Sequence, residues 1–265
     1  MRKVGFDKAL FIAEKMRPEF TYNMAKLEGN TATYSQVETI VHGLSVSGLS
    51  MQDIRQVDNI ARGWNLLLDE LKNGDFSLSK QNTIFLNMTV AEGENRLNFG
   101  SFRNGPVAIN GTDYIPPMHL DLPLQWDSMI NSYKSISDPL EQSIFLYGEL
   151  AKNQFFGDGN KRTALLVMNG CLISEGYCPI TISPNDNKEY RDVLLNYYEN
   201  SEEYKQQFSD FMKYQQLKVL KKWSYDIDLP NTESELGKTI DASNIKTKPA
   251  VKITVIKNKD GRVRW

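Results

Sequence analysis

The sequence predicts an all-α core carrying a small β-hairpin flap, and three observations predict it. Apolar residues recur every three or four positions through most of the first 220 or so residues. One segment, from Lys161 to Ser174, is apolar almost all round, as a central buried helix must be. A single stretch, LNFGSFRNGPVAINGTDYIPPMHL, breaks that texture with interspersed glycines and prolines.

Taken in order, FDKALFIAEKMRPEFTYNMAKLEG is helical, interrupted at Pro18 and stopped by Gly29 as a left-handed cap. TYSQVETIVHGL follows, with Thr33 or Ser35 able to cap it. From Met51 to Leu71 the set Ile54, Val57, Ile60, Trp64, Leu67 and Leu71 forms the apolar face of a long amphipathic helix. A further helix begins near Ser79. The glycine- and proline-rich stretch carries Asn-Gly at 104–105 and at 110–111, a strong turn signal, and reads as a short β-hairpin flap lying across a surface. Helices resume over Trp126–Tyr133 and from Asp138 to Asn153, where Asp138 and Pro139 supply cap and first turn. Gly176 ends the apolar helix. One or two more helices, split near Asn200, run to Trp223. Beyond Ser224 the core signal fades, and VKITVIKNKDGRVRW alternates around Asp260-Gly261 like a terminal hairpin. The chain therefore divides into N-terminal helices (1–80), a core with flap and loop (81–223) and a C-terminal appendage (224–265).

At 265 residues and 40% hydrophobic, the chain can bury a sizeable core. A net charge of −2 offers no electrostatic case for a nucleic-acid or membrane partner, and neither is expected. The two cysteines, Cys171 and Cys178, read as small core residues in a reducing compartment, and two distant histidines, His42 and His119, do not make a zinc site. MRKVGFDKAL lacks the long apolar run expected of a signal peptide, and no apolar run approaches the ~18 residues of a membrane span. A soluble, cytoplasmic protein is expected.

The chemistry concentrates in QFFGDGNKRTALL, where a polar turn opens directly into the buried helix. The first turn of a helix has unpaired N–H groups and a partial positive charge. Glycine lets backbone approach a ligand without a Cβ in the way. Amides from Gly159 to Lys161 can thus converge on a phosphate, Arg162 can add a forked contact, and Asp158 can hold a hard cation such as Mg²⁺. On these features alone a capped turn, with Asp158 as cap and Lys161 and Arg162 in water, is equally admissible.

The run QFFGDGNKR resembles the motif of the Fic/Doc (Fido) family, H-x-F-x-[D/E]-G-N-[G/K]-R, at Phe156, Asp158, Gly159, Asn160, Lys161 and Arg162. TYNMAKLEGNT is similar to the family's YNSxxIEGNT segment, and GSFRNGPVAINGTDYIPP to its flap, GxfRxxxVxIxGxxyxPP. Together these cover roughly residues 20–215 in the family's order. The resemblance implies the Fic fold, ATP and Mg²⁺ as ligands, and transfer of AMP to a hydroxyl of a target protein, or of a phosphoryl group in Doc-like relatives. It assigns Mg²⁺ to Asp158, an anion hole to Gly159, Asn160 and Lys161, phosphate to Arg162, and a core anchor to Phe156. It assigns target docking to Val107, Ala108 and Ile109, and leaves homodimerisation open.

Three positions depart from the pattern. Gln154 stands where the family has the histidine that takes the proton from the attacking hydroxyl. A carboxamide does not titrate near neutral pH, and loss of such a base costs on the order of 10²–10⁴-fold in rate. His119, which follows the flap, is the alternative titratable group. Leu165 stands where one branch of the family has a second arginine. Glu28 matches the family's inhibitory glutamate, but Met24 replaces the Ser or Thr four residues before it. With Leu165 in place, Arg162 is its expected partner. Glu28 is otherwise the exposed end of a helix. Three readings stay open: a slow nucleotide-dependent transferase, a Fic-fold module that binds nucleotide or a partner without turnover, and an empty structural loop.

Overall fold

The computed structural model describes residues 3–94, 99–223, 225–226 and 246–247. Its helices are α1 Phe6–Lys15, α2 Arg17–Leu27, α3 Tyr34–Val41, α4 Met51–Asn73, α5 Lys80–Val90, α6 Leu122–Ser135, α7 Pro139–Asn153, α8 Asn160–Ser174, α9 Asn187–Glu199 and α10 Ser201–Trp223. Local chemistry accounts for most boundaries. Pro18 sits in the first turn of α2 and α1 stops before it. Thr33 accepts from the Gln36 N–H while Gln36 accepts from the Thr33 N–H, a capping box. Ser50, Ser79 and Asp138 cap α4, α5 and α7.

Every residue from Arg162 to Ile173 of α8 is buried, and α1, α4, α5 and α7 pack around it. Burying side chains such as Leu166, Met168 and Leu172 stabilises the fold by about 1.5–3 kcal/mol each. The packing depends on a glycine: a Cβ on Gly170 would lie 2.2 Å from the Phe76 ring. Asn169, also fully buried, donates to the carbonyls of Leu165 and Ile180 and accepts from the Ile180 N–H, fastening the returning chain to α8. A smaller cluster of Ile12, Met16, Cys178, Leu217, Val219 and Leu220 joins α1 to α10.

The all-α class holds, and the flap differs in one respect. Residues 99–118 form turns, bends and irregular backbone, and none of them pairs as a strand. Pro106, Pro116 and Pro117 lack the N–H that a ladder needs. The segment is instead anchored by side chains, with Thr112 donating to Glu199 at 2.9 Å and the Tyr114 and Tyr198 rings 5.9 Å apart. The hairpin expected around Asp260-Gly261 lies outside the described residues. Within the appendage, Tyr225–Asp226 pairs antiparallel with Lys246–Thr247. No helix among the described residues is long and apolar enough to cross a membrane.

Cys171 and Cys178 are buried free thiols, and burial pushes both up to about 12 from an ordinary 9.0. The folded state holds them neutral, so their contribution to stability is full below pH ~9 and is lost as pH rises from ~9 towards 12. Iodoacetamide at pH 8 is expected to leave the native chain unlabelled while labelling both cysteines in urea. Mass spectrometry reads the difference, and labelling of the native chain at the unfolded rate would contradict the burial.

Candidate functional site

The loop between α7 and α8 starts on an unusual residue. Gln154 has φ 48° and ψ 58°, and among the described residues it alone combines a positive φ with a side chain. Left-handed backbone costs a non-glycine residue roughly 1–2 kcal/mol. Three hydrogen bonds offset it. The Gln154 carbonyl accepts from Arg103 Nε at 2.6 Å, its Nε2 donates to the Ala151 carbonyl at 2.6 Å, and its Oε1 accepts from Asn160 Nδ2 at 3.0 Å. The chain then drops Phe155 and Phe156 into the core. Asn160 closes the loop over them, accepting from the Phe156 N–H at 2.9 Å and donating to the Phe156 carbonyl at 2.8 Å. Gly159 has φ 74°, and a Cβ there would meet Ala91 at 2.9 Å. Only glycine fits.

The charged residues are divided between a surface and a buried layer. Asp158, half-exposed, accepts from the Gly159 N–H and, at 2.8 Å, from Arg162 Nη2. The Gly159 amide, expected in an anion hole, is thus occupied by the neighbouring carboxylate. No described residue accepts from the N–H groups of Asn160 and Lys161 at the start of α8. Lys161 Nζ lies 3.4 Å from Glu28 Oε1. Arg162 is only 2% exposed and sits behind the loop. Its Nη1 donates to the Val90 carbonyl at 2.6 Å and to Glu94 Oε1 at 3.0 Å, and its Nη2 to Glu94 Oε2 at 2.9 Å. Burial opposes the charge of Arg162, but Glu94, Glu28 and Asp158 outweigh it and raise the guanidinium above its ordinary range.

In front of the loop lies a cleft of about 560 Å³, lined among others by Glu28, Ile109, Asp158, Lys161, Tyr190 and Arg191. Ala108 and Ile109 of the flap reach it, as do Gln154, Gly159 and Asn160, whereas Val107 and Arg162 do not line it. Two expectations therefore change. Arg162 faces the protein, because Glu94 and the Val90 carbonyl satisfy it there. Glu28 faces Lys161, because the guanidinium it was expected to meet is already paired. His119 is half-buried and does not line the cleft, and His42 is exposed with its Nδ1 against the Glu38 carbonyl.

Three functional neighbours escaped the motif. Arg103, 3% exposed, donates to the carbonyls of Gln154, Gly105 and Pro117, so one buried guanidinium ties both ends of the flap to the loop. Burial lowers its affinity for the proton. Its match to the arginine of the flap pattern that GSFRNG resembles was the available signal. Asn87 donates to the Asp158 carbonyl at 2.9 Å and to Thr163 Oγ1 at 3.0 Å, and Glu94 grips Arg162. Nothing local in the sequence marks either, since their partners lie about 70 residues away.

Known proteins agree with this picture. Residues 77–172 match the family model described as the Fic/DOC family, a span that includes the flap, the loop and most of α8. The protein adenylyltransferase Fic of Nematostella vectensis is 28% identical over 178 residues, 65% of this chain and 41% of the relative. Its counterpart in Aedes aegypti is 25% identical over 178 residues, 35% of that protein's length. The chain thus spans less than half the length of these curated relatives. A Fic domain-containing signaling protein from Bacteroides thetaiotaomicron shares the fold at a TM-score of 0.68, with 23% identity, covering 79% of this chain and 85% of that one. With loop, flap and central helix arranged in the order the motifs foretell, the chain has the Fic fold and carries, over residues 77–172, a segment that matches the Fic/DOC family.

Proposed function

We propose that the cleft binds a Mg²⁺–nucleotide, ATP in the first instance, and that the chain transfers AMP to a protein hydroxyl at a rate held down by the absence of a base at Gln154. The observation that carries this reading is the open face of the loop. Asp158 lines the cleft beside the unpaired N–H groups of Asn160 and Lys161 and the Lys161 ammonium, which together suit an anion with a hard cation. Among the described residues no group of three or more His, Cys, Asp or Glu could hold a metal, so Asp158 would share the ion with the oxygens of the nucleotide, the usual situation of Mg²⁺. Such an ion would neutralise phosphate charge as the transferred group leaves. Arg162 would act by holding Asp158. Ala108 and Ile109, which line the cleft on backbone that pairs with no strand among the described residues, would receive a target segment that adds to the flap as a strand.

A second reading, a nucleotide-binding module without turnover, is favoured by one observation. The Gln154 amide is held by the Ala151 carbonyl and by Asn160, and a carboxamide cannot take the proton of an attacking hydroxyl near neutral pH.

Glu28 competes with phosphate for Lys161 in either case. Calorimetry with Mg²⁺–ATP is expected to show binding to the natural chain and several-fold tighter binding to Glu28→Ala, since the ammonium is then released. Intact-mass spectrometry would score addition of AMP. Absence of binding to both chains at millimolar nucleotide would overturn both readings.

A further inference from the structure

Glu94 follows α5 and does not line the cleft, yet its carboxylate sets the charge that a ligand in the cleft meets. Its two oxygens grip Arg162 Nη1 and Nη2 at 3.0 and 2.9 Å, in the forked geometry that carboxylate and guanidinium favour. The same Nη2 donates to Asp158 Oδ1 at 2.8 Å. One buried cation thus serves two carboxylates. Glu94 is 13% exposed at its side chain and Asp158 46%, so the uncompensated negative charge is carried on the solvent side, at Asp158. The second oxygen of Asp158 accepts no hydrogen bond from the described residues.

We propose that Glu94 is a positioning residue for cation binding at Asp158: it neutralises Arg162 and holds the guanidinium back, leaving Asp158 a full anionic ligand. The inference rests on the reading of Asp158 as the cation ligand given above. Without the Glu94 charge, the group Arg162–Asp158 is neutral overall, and a divalent ion meets a buried, unbalanced cation behind its ligand. Charges a few ångströms apart near a protein surface interact strongly enough that a loss of about tenfold in cation affinity is expected. The forked contact also fixes direction. Nη1 is spent on Glu94 and on the Val90 carbonyl, so the guanidinium cannot swing into the cleft without abandoning three hydrogen bonds.

Mn²⁺ serves as a paramagnetic stand-in for Mg²⁺, and binding of Mn²⁺–ATP to the full chain is read by electron paramagnetic resonance alongside thermal unfolding. The natural chain is expected to bind, Asp158→Asn to lose binding, and Glu94→Gln to bind about tenfold more weakly. The decisive chain is Glu94→Gln with Arg162→Gln, which removes both buried charges, keeps the charge of the three-residue group at −1 and folds without an unpaired buried ion. It is expected to recover most of the affinity lost in Glu94→Gln. A role confined to packing predicts the opposite, lower thermal stability with Mn²⁺ affinity unchanged in Glu94→Gln, and that result overturns the proposal. Failure of the natural chain to bind Mn²⁺–ATP would overturn the reading of Asp158 itself, a distinguishable outcome.

Discussion

Gln154→His is expected to raise AMP transfer from Mg²⁺–ATP by about 10²–10⁴-fold, the contribution of one well-placed general base. The geometry is prepared for it. Position 154 is left-handed, a conformation in which histidine is several-fold enriched among non-glycine residues. The backbone there is held by Arg103 through the carbonyl and not through the side chain, so the exchange leaves that bond intact. An imidazole titrates near neutral pH, where the carboxamide does not. The measurement is AMP incorporation into the chain itself and into proteins of a lysate, followed by mass. Should Gln154→His bind ATP and still transfer nothing, the missing base is not what restrains this protein, and the binding module is the better description.

The largest effect on stability is expected from Arg162→Ala. Truncating one partner of a buried ion pair leaves the other without compensation and costs about 3–5 kcal/mol. Here the abandoned groups are the Glu94 carboxylate and the Val90 carbonyl, while Asp158 can turn to water. For a chain of this size the loss corresponds to a fall in Tm on the order of 10 °C. Pairing Arg162→Met with Glu94→Leu should recover most of it, because an apolar pair of similar volume needs no hydrogen bonds. Differential scanning calorimetry of the two chains decides the matter. A fall of less than about 1 kcal/mol in Arg162→Ala would show that Arg162 is better solvated than its burial implies.

The two predictions draw on parts of the molecule that the sequence revealed unequally. Gln154 was conspicuous, because it interrupts a short motif whose other members are contiguous, and contiguous residues are read together. The helices were equally plain, since apolar spacing, Thr33, Ser79, Asp138 and Gly176 each act within a few residues of themselves. Glu94 and Asn87 were silent. Both act on the loop from about 70 residues away, and an acid or amide at the end of a helix carries no mark of the partner that folding will bring to it. The same cause misdirected Glu28. With the unseen Glu94 holding Arg162, the cation left within its reach was Lys161. In the flap, Asn-Gly turns suggested a hairpin, but turns only permit pairing, and three prolines and side-chain anchorage on α9 decide the outcome.

Arg103 gives the molecule a division of labour between constancy and change. Its guanidinium holds the chain at Gly105 and again at Pro117, while its own backbone N–H donates to the Phe155 carbonyl beside the loop. Of the eleven positions between those clamps, Thr112 and Tyr114 anchor the stretch on α9, while Pro106, Ala108, Asn110 and Gly111 are exposed and carry none of the anchorage. Substitutions, and even a few inserted residues, can therefore be absorbed between 106 and 111 while the turn that opens α8 stays where it is. A protein built in this way can vary one short exposed stretch of sequence without disturbing the loop behind it.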